Sequence, residues 1–287
     1  MRLRYEGRVR RLGAVLVLAA CGAPPGPPRA GAPARVVSLL PSFTEIVVAL
    51  GAGDRLVACT QACRPGRDLP RVSWQGAEAV EAIVRVRPDL VLRQGVRAGD
   101  DPLRRALEAV GVRLLVVPSE TVRDLRRAIG RVGQALDLDA EAGRLRARFD
   151  RELAEARAAF SGRDPPRVLL VFGRDAGAAA NITAAGPGTF LDEVLTLAGG
   201  RNVLADLRTP YPSIDLEEVV RRRPDVIVDV VPPEGTQAGA RRAWEGLRAA
   251  VPAVRRGRVH AVLDNRILIP GPSLPAAVRR LGEMIHG

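Results

Sequence analysis

Apolar residues fall along this chain in two recurring patterns. Short uninterrupted runs at 35–40 (RVVSLL), 90–92 (LVL), 114–117, 167–172 (RVLLVF), 226–228 (VIV) and 259–263 show little polar alternation, which predicts parallel strands buried on both faces. Elsewhere apolar positions return at helical spacing, which predicts amphipathic helices over 102–110, 241–250 and 274–286. Across 121–160 that spacing runs through Val122, Leu125, Ile129, Val132 and Leu136, breaks at Asp137-Leu138-Asp139, and resumes at Leu145, Phe149, Leu153 and Phe160. One helix is expected to end at the break. A second starts at 139 and runs to about residue 160, enough to cross about 30 Å at roughly 1.5 Å per residue. The Arg and Glu on its polar face read as a solvated connecting strut.

The pattern is written twice. Residues 80–92 (VEAIVRVRPDLVL) align without a gap on 216–228 (LEEVVRRRPDVIV), 136 positions later. Each copy reads as a short helix stopped by Pro and followed by a buried strand. A second pair, 42–53 (SFTEIVVALGAG) and 189–200 (TFLDEVLTLAGG), lies 147 positions apart. Both read as helices opened by a Ser or Thr N-cap and closed by Gly. The expected fold class is α/β, with two similar doubly wound, Rossmann-like lobes joined by a single long helix. Such a plan places a ligand cleft between the lobes, at the loops after the strand C-termini.

The first residues read as an address. Residues 1–11 are basic, 12–20 (LGAVLVLAA) form a short apolar run, and Cys21 follows at once, before a Pro-, Gly- and Ala-rich stretch. This is the layout of a secretory signal and falls short of the roughly 20 apolar residues of a membrane span. The run Leu18-Ala19-Ala20-Cys21 resembles the lipobox of bacterial lipoproteins, which implies a lipid on Cys21. The expected divisions are 1–20 signal peptide, 21–34 flexible tether, 35–138 N-terminal lobe, 139–162 connecting helix and 163–287 C-terminal lobe. Export leaves Cys59 and Cys63, spaced C-x3-C, in an oxidising compartment. A local disulfide and a pair of reduced thiols both fit the spacing.

Composition changes the picture by exclusion. A net charge of +12 on 287 residues raises nucleic acid as a partner, yet all 44 basic residues are Arg and are scattered. Five Arg and one Glu lie in the first twenty residues, so the exported chain carries +8. With no Lys there is no P-loop lysine or Schiff-base lysine. Two His are too few for a His-rich metal site, and nine aromatic residues supply no stacking platform for single strands. His260 and Asp264 suggest a base and its orienter, but no motif-marked nucleophile accompanies them. A catalytic role, a resident metal and a nucleic-acid partner are therefore not expected.

Several segments together resemble one family. They are 36–45 (VVSLLPSFTE), Trp74-Gln75-Gly76, 80–92, 186–190 (GPGTF), 198–203 (AGGRNV), Tyr211-Pro212-Ser213, 216–228 and Pro270-Gly271-Pro272. The chain is similar, over roughly 34–286, to the substrate-binding proteins of bacterial ABC importers for cobalamin, haem and ferric siderophores. The Trp-Gln-Gly segment resembles most the cobalamin-binding branch, where the Trp lines the cleft. A flat apolar wall of this kind suits a macrocycle, and the alternative for Trp74 is an ordinary core position. The resemblance implies Tyr211 opposite Trp74, with Pro41, Ser42, Phe43, Gln94 and Arg174 completing the rim. It also implies that Glu81 and Glu217, equated by the repeat, dock the two lobes onto an ABC permease dimer with its ATPase subunits. A first helical turn would favour both carboxylates through the dipole alone, and Asp215 with Glu218 reads as a capping arrangement.

The loop at 61–66 lacks the aromatic that cobalamin binders often carry, and Gln94 stands where another is common. Arg64, Arg93, Arg97 and Arg174 point instead to an anionic ligand such as a carboxylate siderophore or a haem propionate. The expectation is a lipid-anchored, periplasmic or extracytoplasmic monomer without a cofactor of its own. Any cobalt or iron arrives inside the ligand, and the stiff helix limits hinge motion on binding.

Overall fold

The structure, a computed structural model, describes residues 31–73, 77–95, 102–175, 177–231 and 235–287. The first half opens with β1 (Val36–Ser38), α1 (Pro41–Ala49) and β2 (Leu56–Cys59). It continues through α2 (Ala77–Arg85), β3 (Leu90–Gln94), α3 (Pro102–Ala109), β4 (Arg113–Val117) and α4 (Val122–Ala135). Its four strands form a parallel sheet in the order β2-β1-β3-β4. Side chains alternate across the sheet. Val36, Leu90 and Leu92 face α1 and α4 in one apolar cluster, while Val37 and Val91 face Ile83 of α2 and Leu107 of α3 in another. That two-sided burial is why these strands have no polar alternation.

A single helix, α5 (Asp139–Ala158), follows α4. The break between them lies where the apolar rhythm stutters. Asp137 adopts a left-handed φ of 57°, and the Leu138 N–H reaches back to the Gly133 carbonyl at 2.8 Å, closing α4 with a Schellman motif. Gly133 permits the tight corner, since a Cβ there would stand 2.3 Å from that of Ala142.

The second half comprises β5 (Arg167–Gly173), β6 (Ile182–Ala184), α6 (Phe190–Leu197), β7 (Arg201–Asn202), β8 (Ser213–Ile214) and α7 (Leu216–Arg222). It ends with β9 (Val226–Val230), α8 (Gln237–Trp244), α9 (Pro252–Arg255), β10 (Val259–Val262) and α10 (Leu274–His286). The sheet order is β10-β9-β5-β6-β8, with β7 beside β5. Its β10, β9, β5 and β7 are parallel, whereas β6 runs antiparallel to both of its neighbours, β5 and the edge strand β8. The helix expected over 241–250 starts earlier, at an N-cap where the Thr236 hydroxyl accepts from the Gly239 N–H, and gives way to a 3₁₀ turn at Glu245–Leu247.

The internal repeat survives as matched backbone detail. Arg87 and Arg223, equivalent in the alignment, both adopt left-handed φ values, 44° and 48°. The following Asp residues cross to the start of the neighbouring strand in the same way. Asp89 Oδ2 accepts from the Arg35 N–H at 2.9 Å, and Asp225 Oδ2 from the Arg167 N–H at 3.2 Å. Helices α1 and α6 both end on a glycine of positive φ, Gly51 and Gly199. Each is followed by an N–H that returns to the preceding turn, Ala52 to Val47 O and Gly200 to Leu195 O. Their starts differ. Thr189 caps α6 by accepting from the Asp192 N–H at 3.2 Å, but Ser42 does not cap α1. That helix begins one residue earlier, on Pro41, whose fixed φ and missing N–H suit a first position.

Helix α5 is more than a strut. Ala142, Leu145, Phe149, Leu153 and Ala156 are buried against α4 on one side and α10 on the other. Through them one apolar cluster runs without interruption from Val36, Phe43 and Leu92 to Val168, Val228 and Leu281. The second sheet keeps its own cluster on the far face, around Leu169, Ile227 and Trp244.

Candidate functional site

The loops after β3, β4 and β5 and before β8 carry polar and aromatic side chains toward the junction of the lobes. Gln94 ends β3, and its Nε2 donates to Glu120 Oε1 at 2.6 Å. Glu120 follows the C-terminal end of β4 and precedes Thr121, which caps α4. From the second lobe, Tyr211 stands 49% exposed, its ring edge-on to Phe172 at 5.7 Å. Partial burial pushes the Tyr211 phenol above its usual range, and the negative charge of Glu120 adds to that rise. Gln94 and Glu120 thus form a hydrogen-bonded pair on the first lobe, and Tyr211 on the second, stacked edge-on against Phe172, lies within reach of the Glu120 charge.

A hollow of about 410 Å³ opens at the C-terminal end of β2, lined by Thr60, Gln61, Ala62, Arg71, Val72 and Ser73. Arg71 shapes it from below. Its guanidinium donates to the carbonyls of Thr60 and Cys63, both at 3.0 Å, and to Cys59 Sγ at 3.2 Å. Cys59 and Cys63 are buried free thiols, and Thr60 Oγ1 lies 3.1 Å from Cys63 Sγ. Burial and the adjoining Cys63 push the Cys59 thiol up to about 11, against the opposing pull of Arg71. Cys59 is therefore protonated at neutral pH, and both buried cysteines pack as small apolar side chains. A second hollow, about 100 Å³ between the end of β10 and α10, is far below the several hundred Å³ that a drug-sized ligand fills.

The rim expected from sequence is partly assembled. Pro41 is half-buried at the first position of α1. Ser42 is buried, and its Oγ takes no hydrogen bond among the described residues. Phe43 is fully buried in the core that links the lobes, so it presents no surface to a ligand. Arg174 is also withdrawn: its side chain is 5% exposed and paired with Asp229 at 2.8 Å, and its Nη1 donates to the carbonyls of Asp175 and Ala178. Trp74, like Arg97 and Cys21, lies outside the described residues. Arg93 is half-buried and already engaged, while Arg64 is exposed on the loop after β2.

Glu81 and Glu217 lie on the equivalent helices α2 and α7. Glu81 is 75% exposed and pairs with Arg85 one turn on, at 2.7 Å. It sits beyond the first turn of α2, where Glu78 stands instead, so the helix dipole does not account for it. Glu217 is in the first turn of α7 and exposed. Glu218 is not half of a reciprocal cap. Asp215 Oδ1 accepts from its N–H at 2.8 Å, but the Glu218 carboxylate turns to Arg221 and Arg222, which hold it below its usual range.

Three residues of the junction escaped the sequence reading. Glu120 had one signal, its place directly after a strand C-terminus. Glu45, quoted in the 36–45 motif, accepts from the Ser273 hydroxyl at 2.8 Å, joining α1 to the start of α10. Glu193 on α6 accepts from the Val122 N–H at 2.7 Å, a contact for which no local pattern exists.

Two α/β lobes, one bridging helix and a mixed polar and aromatic face at their junction define a two-lobed binding protein. The chain belongs to the Periplasmic binding protein family, which it matches over residues 36–262. It is 32% identical over 222 residues to a vitamin B12-binding protein of Yersinia pestis, covering 76% of this chain and 75% of that one. Among solved structures it resembles a periplasmic haem-binding protein from Roseiflexus sp. RS-1 in apo form. That likeness has TM-score 0.76 and 27% identity, over 88% of this chain and 97% of the other. It also resembles the periplasmic vitamin B12-binding protein of Vibrio cholerae, with TM-score 0.73 and 25% identity over the same shares. Proteins of this family are periplasmic carriers that deliver small molecules to ABC importers.

Proposed function

We propose that this chain is the lipid-anchored, extracytoplasmic substrate-binding component of an ABC importer, and that it captures cobalamin or a related corrinoid. The observation that carries the reading is the hydrogen-bonded Gln94–Glu120 pair beyond the C-terminal ends of β3 and β4, with the half-exposed Tyr211 of the second lobe within reach of the Glu120 charge. It offers a ring and hydrogen-bonding groups from opposite lobes to one ligand edge, as a broad macrocycle requires. Pro41 and Trp74 are assigned to the same rim, and the 32% identity to a vitamin B12-binding protein supports the ligand class. The chain acts as a monomeric carrier, not as an enzyme. Residues 35–138 and 163–287 are its two lobes, and 139–162 the connection between them.

Titration of the purified mature chain with cyanocobalamin, haemin and ferric siderophores, followed by absorbance, tests the ligand. Saturable binding of cyanocobalamin is expected. Preference for haemin would move the chain beside its haem-binding relatives, and binding of none would sink the reading. The anchor is tested separately: Cys21→Ala should shift the protein from the membrane fraction to the soluble one, and unchanged fractionation would exclude a lipid on Cys21.

A further inference from the structure

Glu120 contributes nothing to the fold that its neighbours do not already supply. Hydrogen bonding of β4 to β3 is complete before it, and Thr121 caps the helix after it by accepting from the Asp124 N–H at 3.0 Å. Its exposed carboxylate turns instead to Gln94, 2.6 Å away, and acts on Tyr211 of the other lobe. Two residues on, the Val122 N–H is tied to Glu193 of the second lobe, which holds this segment at the junction.

Among the described residues the donor and acceptor inventory of this face has a definite sign. An ionised carboxylate only accepts hydrogen bonds, and one amide N–H of Gln94 is already directed to it. The cation expected on the rim, Arg174, is spent on Asp229. At the Gln94–Glu120 pair a ligand therefore encounters negative charge and spare acceptors.

We propose that Glu120 sets the ligand class, selecting ligands that present amide or hydroxyl donors at this edge and rejecting those that present carboxylates. The carboxamide side chains of a corrin satisfy the acceptors, whereas porphyrin propionates or siderophore carboxylates place like charges together. This rests on the reading that a macrocycle occupies the cleft. Discrimination of this kind comes as much from the repulsion built against the wrong ligand as from contacts to the right one.

Two ligand pairs separate charge from shape: cyanocobalamin and its monocarboxylate, with one side-chain amide hydrolysed, and haemin dimethyl ester and haemin. In the wild type the uncharged member of whichever pair binds should bind at least about tenfold more tightly. Glu120→Gln keeps the size and the acceptor, and should shrink the ratio to within about twofold, chiefly by strengthening the charged member. Raising the salt concentration should shrink the wild-type ratio in the same direction. An absent preference in the wild type, or one that Glu120→Gln leaves intact, overturns the role of Glu120 while the macrocycle reading stands. Failure of all four ligands to bind overturns both.

Discussion

Asp229 holds a carboxylate at 0% exposure in the middle of β9. Its Oδ2 accepts from Arg174 Nε at 2.8 Å and from Trp244 Nε1 at 2.9 Å, so a buried charge is matched by a guanidinium and an indole N–H. Ion pairs at this depth add little net stability while intact, but removing one partner strands the other charge. Asp229→Ala should cost about 3–5 kcal/mol, read as a fall in the denaturation midpoint at unchanged slope. A loss below about 1 kcal/mol would mean that water reaches Arg174. The same geometry explains why an arginine placed on the rim by its position after a strand is withdrawn from it. Sequence locates a side chain along the strand, while the partner that turns it inward lies 55 residues away. Phe43 fails as a rim residue for a related reason: one turn into α1, its direction is decided by the core beneath the helix.

At the scale of elements the repeat is the most legible feature. Gly51 and Gly199 end their helices in the left-handed region that the sequence alone assigns to glycine. The left-handed Arg87 and Arg223 have no such signal; each is followed by Pro-Asp and lies at a crossing bond, Arg35 donating to the Arg87 carbonyl and Arg167 to that of Arg222 beside Arg223. Helices α2 and α7 each carry an exposed acid at the equated position, which suits a permease of twofold symmetry. Glu81→Arg with Glu217→Arg should abolish uptake in cells and leave ligand affinity within about twofold, since neither residue belongs to the cleft face. Lost affinity in the double variant would instead place these residues in the ligand site. Each single reversal should weaken uptake only partly, because one knob remains.

At the scale of the whole molecule, the lobes are one apolar body rather than two bodies on a rod. The cluster that passes through α5 restrains bending, and Glu45 ties α1 to α10 through Ser273. That contact depends on Gly271, where a Cβ would stand 2.2 Å from Glu45 Oε2. Burial raises the Glu45 carboxyl above its ordinary 4.5, with the Ser273 hydrogen bonds and Arg266 pulling it partly back. A carboxyl whose folded pKa exceeds its unfolded one stabilises the fold in full below the unfolded value, and that stabilisation is lost as pH rises through the folded value. The stability of the wild type relative to Glu45→Gln should therefore fall between about pH 4.5 and neutrality, measured as thermal midpoints across a pH series. A pH-independent difference would show that Glu45 is hydrated. The sequence by itself determined the two α/β halves, the helix between them and the turns that close α1, α4 and α6, because apolar period, Gly and Pro act over a few residues. Only the tertiary structure decided that α5 is part of a shared core, that Arg174 and Phe43 leave the rim, and that Glu45 and Glu193 bond to the opposite lobe. Each of those outcomes depends on a partner that is distant in the chain and becomes a neighbour only when the lobes pack.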